Sequence, residues 1–578
     1  MQDYRREYER WLAYPGLDES TRAELTSIAN DEKEQEERFY TELEFGTAGL
    51  RGIIGAGTNR MNDYVVRRAS AGLAEYLSDI EGAKERGVAI AYDSRNRSDS
   101  FAREAACTLA AFGVKCYLYS TLHSVPQLSF TVRELKCIAG IVVTASHNPP
   151  EYNGYKVYWE HGGQCGPAQA EEILSKIRGL DYFSTKHMNY DEAIESGLIK
   201  LIGSEIDEIY YKNTIGLMLN PELVREHGGE IKLVYTPLHG SGYVPVTEVL
   251  KRIGMNSVYV VQEQAQPNGD FPTVKAPNPE DPNAFTLAFR LADEVGAGLV
   301  IGTDPDSDRL GVAVRDANGK FQTLTGNRIG SILIYYLLGT MKEKGKLPEN
   351  GLVVKSLVST GLADAICRSF GVEIKHVLTG FRFIAEQIDL AESTGERTFL
   401  FGFEESYGFL AGGFAHDKDA ICAAMLVSEA AVYYGAKGKT LLDVLDEIFS
   451  IYGFFTEKTK SYTLEGKEGM ERIANAMKGL RSEPPMLFGS EECIVYEDFS
   501  ENRRIDRSTG EESEIGLPKS NVLRYFLPGD AWIIVRPSGT EPKLKLYVGA
   551  KADSESATEE RLESLLGAAD AIVSKLLG

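Results

Sequence analysis

The residues Gly302-Thr303-Asp304-Pro305-Asp306-Ser307-Asp308-Arg309 place a carboxylate at every second position, directly after the apolar run Ala297 to Ile301. In an extended segment alternate residues share one face, and in a loop they can wrap one ion, so either geometry builds an oxygen-donor site for a hard divalent cation, Mg2+ first of all. A calcium EF-hand opens in the same way, but it needs glycine at loop position six and glutamate at twelve, where this chain has Arg309 and Arg315. A polar turn holding no ion would leave three aspartates repelling one another, so metal binding is the better account.

Two further segments carry chemistry. Thr144-Ala145-Ser146-His147-Asn148-Pro149 follows the apolar run Cys137 to Val143. The β-branched stretch Ile138 to Thr144 predicts a buried strand that Asn148-Pro149-Pro150 cannot continue, which leaves Ser146 exposed at the strand's C-terminal end, where open α/β sheets bind ligands. A serine that carries phosphate fits that place. An acyl-transfer serine would need a base and a G-x-S-x-G elbow, and no glycine flanks Ser146. As the base of such a serine His147, adjacent in sequence, is expected to point elsewhere; it is instead a candidate to bond a serine phosphate or to fix the loop. The plain alternative is a turn whose serine and asparagine bond their own backbone. Val535-Arg536-Pro537-Ser538-Gly539-Thr540-Glu541-Pro542-Lys543 lies between the apolar strand Trp532 to Val535 and the alternating segment Lys543 to Val548. A guanidinium fork, two hydroxyls and a glycine that permits close approach make a phosphate clamp, with an incidental hairpin turn as the alternative.

A phosphorylatable serine, a three-aspartate loop and an R-P-S-G-T clamp together resemble the α-D-phosphohexomutase superfamily of phosphoglucomutases and phosphomannomutases. Glu44-Phe45-Gly46-Thr47-Ala48-Gly49-Leu50-Arg51-Gly52 is similar to that family's opening motif, and Gly402-Phe403-Glu404-Glu405-Ser406-Tyr407-Gly408 to its sugar-binding loop, so five motifs stand in family order over nearly the whole chain. The resemblance implies three related α/β domains with mixed sheets and a smaller α+β domain around a central cleft. It further implies a phosphoserine at Ser146, one Mg2+ held by Ser146, Asp304, Asp306 and Asp308, and glucose 1,6-bisphosphate as primer. Lys156 matches a lysine used as general acid/base or for charge stabilisation. Thr379, Gly380, Glu404 and Ser406 would contact the sugar, and Lys418 a phosphate or the sugar.

From the residues themselves, Arg309 either stabilises charge on a transferring phosphoryl group or only neutralises the aspartates. The substrate's own phosphate would dock at Arg536, Ser538, Gly539 and Thr540, aiming the free hydroxyl at phosphoserine 146. The resulting bisphosphate must turn end over end, with the fourth domain as a lid. The Glu404-Glu405-Ser406-Tyr407 tetrad resembles the glucose form of the sugar loop, which favours glucose 1-phosphate and glucose 6-phosphate, with mannose phosphates as further substrates. The N-terminal extension and the opening motif also resemble a branch containing phosphopentomutases and a glucose-1,6-bisphosphate synthase, which stay open as alternatives. A non-catalytic phosphosugar-binding regulator would have no use for a nucleophile beside a metal loop, and a metal-dependent phosphatase would release inorganic phosphate.

The chain must position these groups. Its 578 residues suggest about four domains at ~150 residues each. An apolar strand, a helix and a second apolar strand ending in a functional loop recur from Val88 to the serine loop, from Ile231 to the aspartate loop and from Leu352 to the Glu404 loop, which predicts parallel α/β sheets. After about Ile451 the pattern changes to short strands and a helix from Ser556 to Leu577. The expected domains are 1–205 with the serine loop, 206–325 with the metal loop, 326–450 with the sugar loop and 451–578 with the phosphate clamp. Residues 1–40 are charge-rich and predict exposed helices.

Seven cysteines without a C-x-x-C pair predict reduced, buried thiols, and Met1 to Arg6 is followed by no apolar leader core, so a cytoplasmic enzyme is expected. A net charge of −23 opposes nucleic-acid and acidic-membrane partners, so the cleft must gather its own cations, among them Arg51, Lys156, Arg309, Arg536, Lys543 and Lys545. The partner is a small phosphosugar, and the assembly a monomer or a dimer. Gly55-x-Gly57 fails as a dinucleotide fingerprint at Arg60, and Gly438-Lys439-Thr440 fails as a P-loop because its first glycine is Tyr433.

Overall fold

The computed structural model describes residues 3–46, 49–464, 466–538 and 543–578. They form two compact units, one of 1–326 with 384–438, the other of 327–383 with 439–578.

Unit 1 begins with three helices, Tyr4–Ala13, Glu19–Ser27 and Glu32–Phe39, capped by Asp3, Asp18 and Asp31, each of whose carboxylates accepts from a backbone N–H of the first turn. They are less exposed than their charge suggests. Trp11, Leu25 and Phe39 are fully buried, and Trp11 meets Phe39, Tyr64 and Phe183 edge-on at 5.4–5.7 Å. One apolar stripe per short helix is enough to dock it. Trp11→Ala would cost about 3–5 kcal/mol.

The first sheet holds β1 (Gly49–Ile53), β2 (Val88–Tyr92), β3 (Cys116–Tyr119), β4 (Ala139–Val143), β5 (Tyr152–Trp159) and β6 (Ile199–Ile202), in the order β1-β5-β4-β2-β3-β6. β2 lies parallel to β3 and β4, and β4 turns back antiparallel into β5. The second sheet repeats the plan with β7 (Leu233–Thr236), β8 (Val258–Val260), β9 (Leu299–Thr303), β10 (Leu310–Arg315) and β11 (Phe321–Leu324). β7 is parallel to β8 and β9, and β9 turns back into β10. β4 and β9 are buried on both faces, in keeping with the near-continuous apolar sequences of central strands in a mixed sheet.

The stretch expected as a third domain contributes to both units. β12 (Gly351–Ser356) and β13 (Glu373–Val377) pair in parallel in unit 2, whereas β14 (Thr398–Glu404) and β15 (Gly408–Ala411) form an antiparallel hairpin in unit 1. The helix Ala420–Gly435 behind that hairpin is buried on every face, in keeping with its near-absence of charge.

The remainder of unit 2 is α+β. It adds β16 (Phe454–Thr463), the short pair β17 (Leu487–Phe488) and β18 (Glu491–Glu492), β19 (Val495–Asp498), β20 (Arg503–Asp506), β21 (Glu512–Glu514), β22 (Leu523–Leu527), β23 (Ala531–Pro537) and β24 (Lys543–Ala552). Seven of these make an antiparallel sheet in the order β16-β24-β23-β22-β19-β20-β21. β16 and β24 are ten residues long, not the short strands expected, and the helices Gly466–Ser482 and Glu555–Leu577 complete the unit. Four domains of this kind, three α/β and a smaller C-terminal one, are the fold class expected.

Candidate active site

Three hairpin tips in unit 1 carry the predicted chemistry: β4–β5 presents Ser146, β9–β10 the three aspartates, and β14–β15 the segment Glu405 to Tyr407. Each tip holds one non-glycine residue in the left-handed region, Ser146 at φ 52°, Ser307 at 54° and Tyr407 at 66°. Such backbone is uncommon and persists where surrounding contacts over-determine it. The tips are tied together. Ser146 Oγ donates to Asp304 Oδ2 at 2.8 Å, and Leu310 N–H donates to Tyr407 O at 3.0 Å, beside a bridge between Arg309 and Gly408.

Ser146 stands past the end of β4 as expected, but it is only 4 % exposed, not open. Asp304 and His147 cover its Oγ, and the loop is held by Arg95, a residue that none of the motifs singles out. Its buried guanidinium donates to the carbonyls of Ser146, Asn148, Pro149 and Tyr152, and so fastens the loop from beneath. Asp93 holds Arg95 at 3.4 Å and accepts from Thr144 Oγ1 at 2.6 Å, while Ser146 N–H donates to the same Thr144 oxygen at 2.8 Å. The signal was present: Tyr92-Asp93-Ser94-Arg95 puts an acid and a base just past an apolar strand. His147 also departs from expectation, since its Nδ1 lies 3.2 Å from Ser146 Oγ. Burial, reinforced by the neighbouring Arg309, lowers its pKa to about 2, so the ring is neutral.

The aspartate loop is held by its backbone. Val125 N–H donates to Asp306 O at 2.9 Å and Ala420 N–H to Ser307 O at 3.1 Å, each from a helix N-terminus, and Asp304 Oδ1 accepts from the N–H groups of Asp308 and Arg309. All three carboxylates are buried, with one oxygen of each within 4.8 Å of the others. Lys156 Nζ donates to Asp306 Oδ2 at 3.1 Å, and Lys418 Nζ sits 3.0 Å from Asp308 Oδ2 and 2.9 Å from Asp417 Oδ1. Arg309 is paired with Glu280 and lies 3.8 Å from Asp308. Burial and then the charge of Asp306 push Asp304 and Asp308 above the usual carboxylate range. Burial works the same way on Asp306, but Lys156, a hydrogen bond with Asp304 and the charge of Lys418 together outweigh it and hold that carboxyl low. Asp306 Oδ1 and Asp308 Oδ1 have no hydrogen-bond partner among the described residues. Two orphaned, buried carboxyl oxygens beside a third acid fit a divalent metal ion.

Lys418 reaches the loop because residue 408 is glycine. A Cβ there would lie 2.1 Å from Lys418 Cδ. Glu404 is buried at the end of β14, and its charge adds to those that raise the Lys418 pKa against the opposing effect of burial. Ser406 is half-buried at the tip. Arg51 is exposed on β1, in register with Gly154 and two positions from the Gly49–Lys156 pair, and its charge reaches His147.

Unit 2 holds the other predicted residues. Thr379 and Gly380 follow β13, with Thr379 Oγ1 buried and without a hydrogen-bond partner among the described residues. Arg536 sits on β23 directly opposite Lys545 of β24, and Ser538 N–H donates to Lys543 O at 2.7 Å, closing the hairpin. Two cations facing each other across a sheet repel unless an anion joins them. Gly539 and Thr540 lie outside the described residues.

The family models and relatives that match this chain indicate an enzyme of the mutase, or isomerase, class. Models of the phosphoglucomutase/phosphomannomutase family match in order, the α/β/α domains I, II and III at residues 42–183, 209–319 and 325–452 and the C-terminal domain at 502–565. The chain belongs to that family. It is 38 % identical over 553 residues to a phosphoglucomutase of Staphylococcus epidermidis, covering 95 % of this chain and 98 % of that one, and 37 % identical over 541 residues to one of Staphylococcus aureus, covering 92 % and 94 %. Among solved structures, pp63/parafusin, a phosphoglucomutase from Paramecium, superposes in its open form with a TM-score of 0.69 at 16 % identity, covering 93 % of this chain and 95 % of that one. A phosphoglucomutase/phosphomannomutase family protein from Burkholderia thailandensis gives 0.65 at 18 %, covering 91 % and 97 %. At such identities the likeness is one of fold.

Proposed function

We propose that this enzyme interconverts glucose 1-phosphate and glucose 6-phosphate through a phosphoserine at Ser146 and a bisphosphorylated sugar. The observation that carries this is the hydrogen bond from Ser146 Oγ to Asp304, beside two orphaned carboxylate oxygens. The names of the relatives favour glucose phosphates. Mg2+, held by Asp304, Asp306, Asp308 and an oxygen on phosphorylated Ser146, would neutralise charge and polarise phosphorus.

The protein's own groups do the rest. Arg95 and Thr144 fix the serine loop, so the phosphoryl group is presented in one orientation. The sugar hydroxyl attacks phosphorus, the new O–P bond forms as the Oγ–P bond breaks, and Lys156 is the group assigned to the hydroxyl proton. Arg309 stabilises charge on the group in flight. Arg51 adds positive charge, and His147, neutral and beside Oγ, orients the serine. Arg536, Ser538, Gly539 and Thr540 bind the substrate's resident phosphate, while Thr379, Gly380, Glu404, Ser406 and Lys418 orient the sugar. After transfer the bisphosphate, glucose 1,6-bisphosphate, reorients and returns its other phosphate to Ser146. The domains are assigned as 1–205, 206–325, 326–450 and 451–578. Seven free, buried thiols support a cytoplasmic setting, and no helix among the described residues is long and apolar enough to cross a membrane.

The test is conversion of glucose 1-phosphate to glucose 6-phosphate with Mg2+ and catalytic glucose 1,6-bisphosphate, beside ribose 1-phosphate, in wild type and Ser146→Ala. Turnover of the glucose ester that is lost in Ser146→Ala is expected. Preference for ribose 1-phosphate would replace the substrate, and undiminished activity in Ser146→Ala would overturn the mechanism.

A further inference from the structure

A second cluster of ligating side chains lies in unit 1. Asp389 and Glu392 stand three residues apart on the helix Phe381–Thr394 and so share a face. His161 follows β5, and His416 precedes the helix Ala420–Gly435. Asp389 Oδ1 is 3.0 Å from His416 Nδ1, Asp389 Oδ2 is 3.8 Å from His161 Nε2, and Glu392 Oε1 is 3.6 Å from His416 Nε2. One ligand atom from each of Asp389, Glu392 and His416 lies within 4.8 Å of the others.

Two acids at a surface would mean little. His416 changes that, because its side chain is fully buried and its Nε2 has no hydrogen-bond partner among the described residues. Arg133 does not answer it. That guanidinium donates to both Glu392 oxygens, at 3.2 and 3.0 Å, and its Nη1 lies 3.2 Å from His416 Nδ1, on the other side of the ring. If Nδ1 accepts from Arg133, Nε2 carries a buried hydrogen that stops short of Glu392. If Nδ1–H donates to Asp389 and Nε2 is unprotonated, its lone pair faces a carboxylate, a repulsive arrangement that either a second ring proton or a metal cation between them relieves. The second state is the carboxylate–histidine–metal relay in which one ring nitrogen is oriented so that the other can ligate.

Donor atoms on one tetrahedral zinc, each about 2.0–2.1 Å from the metal, stand about 3.3 Å apart. The 3.6 Å Glu392–His416 and 3.8 Å His161–Asp389 separations are within a few tenths of an ångström of that spacing. Apart from the rings, two carboxylates and one guanidinium leave a net negative charge to receive an ion. Imidazole with carboxylate suits zinc-like ions, whereas the oxygen-only aspartate loop suits magnesium.

We propose that His161, Asp389, Glu392 and His416 form a binding site for a divalent transition-type cation of the Zn2+ class. The ion clamps residues 412–419, the segment that delivers Lys418, to the helix Phe381–Thr394 and to the loop after β5, and the same segment rests on the helix Val125–Glu134, where Phe414 packs on Phe130 and His416 N–H donates to Ser129 Oγ at 2.8 Å. Its role is to hold that segment and not to react.

The full-length protein, equilibrated with zinc sulfate in excess Mg2+ and then gel-filtered, is expected to retain about one zinc per chain and to melt at a higher temperature than metal-stripped protein. His416→Gln and Glu392→Gln should each weaken zinc retention by at least about tenfold and remove the thermal increment, while Asp306→Asn keeps both. His161→Gln, at a more exposed position, serves the same purpose should His416→Gln fail to fold. Absence of retained zinc, or zinc lost in Asp306→Asn and kept in the histidine variants, would overturn the site.

Discussion

The aspartate trio and the His416 cluster both gather acids in unit 1, yet they are built in opposite ways. The trio comes from one hairpin tip, spaced by two residues, with oxygen donors only and almost no exposure. The other draws on three separate segments, mixes imidazole with carboxylate, and leaves Asp389 and Glu392 at 35 % and 42 % side-chain exposure. Their counter-charges differ as well. Lys156, Lys418 and Arg309 surround the trio and would also face a phosphate, whereas at the other cluster the cation paired with a carboxylate, among the described residues, is Arg133. A site meant for reaction keeps cations that can be shared with substrate, and one meant for holding needs only enough charge to be closed by its ion.

The difference can be broken by experiment. Asp306→Asn should lower kcat/KM for glucose 1-phosphate by about 10³-fold, since it removes an anionic ligand and the partner of Lys156. If His416→Gln did as much, the two clusters would form one functional unit. Arg95→Met should reduce kcat by about 10²-fold with little change in KM, and destabilise by about 3 kcal/mol, because four carbonyls lose their donor and Asp93 is left buried without its partner. Unchanged kcat would mean that the serine loop holds its shape without the clamp.

Chelation followed by Mg2+ alone should restore activity but not the thermal increment, which is on the order of 1–2 °C for one weak ion in a chain of this size. Restoration of both by Mg2+ would merge the sites. The smallest effect calibrates the others. Glu104 pairs with Arg67 and His187, and although burial opposes it, these bonds lower its pKa from 4.5 to about 2. A depressed carboxyl stabilises fully above its unfolded value and loses that contribution as the pH falls from 4.5 through about 2. Glu104→Gln should therefore cost on the order of 1 kcal/mol at pH 7 in denaturant unfolding, and the gap to wild type should close across that window.

The serine and aspartate loops stood out because each is a short run whose residue types and spacing suggest its chemistry, whereas the Glu404 loop stood out only through the family resemblance. The thrice-repeated strand and helix order was legible too, because buried parallel strands must be continuously apolar. Trp11, by contrast, hides in a charged segment, since a single large ring suffices to dock a short helix whatever surrounds it. Arg95 and Asp93 looked like an ordinary loop. Only the return of β4 beside β2 puts four carbonyls within reach of one guanidinium.

By itself, then, the sequence determined which residues could carry phosphate, hold a metal and fork an anion, because those properties reside in side-chain types at fixed local spacing. Tertiary structure decided that Ser146 is buried against Asp304, that Gly408 lets Lys418 pass, and that His161, Asp389, Glu392 and His416 meet, because each depends on segments up to hundreds of residues apart being packed to within hydrogen-bond distance.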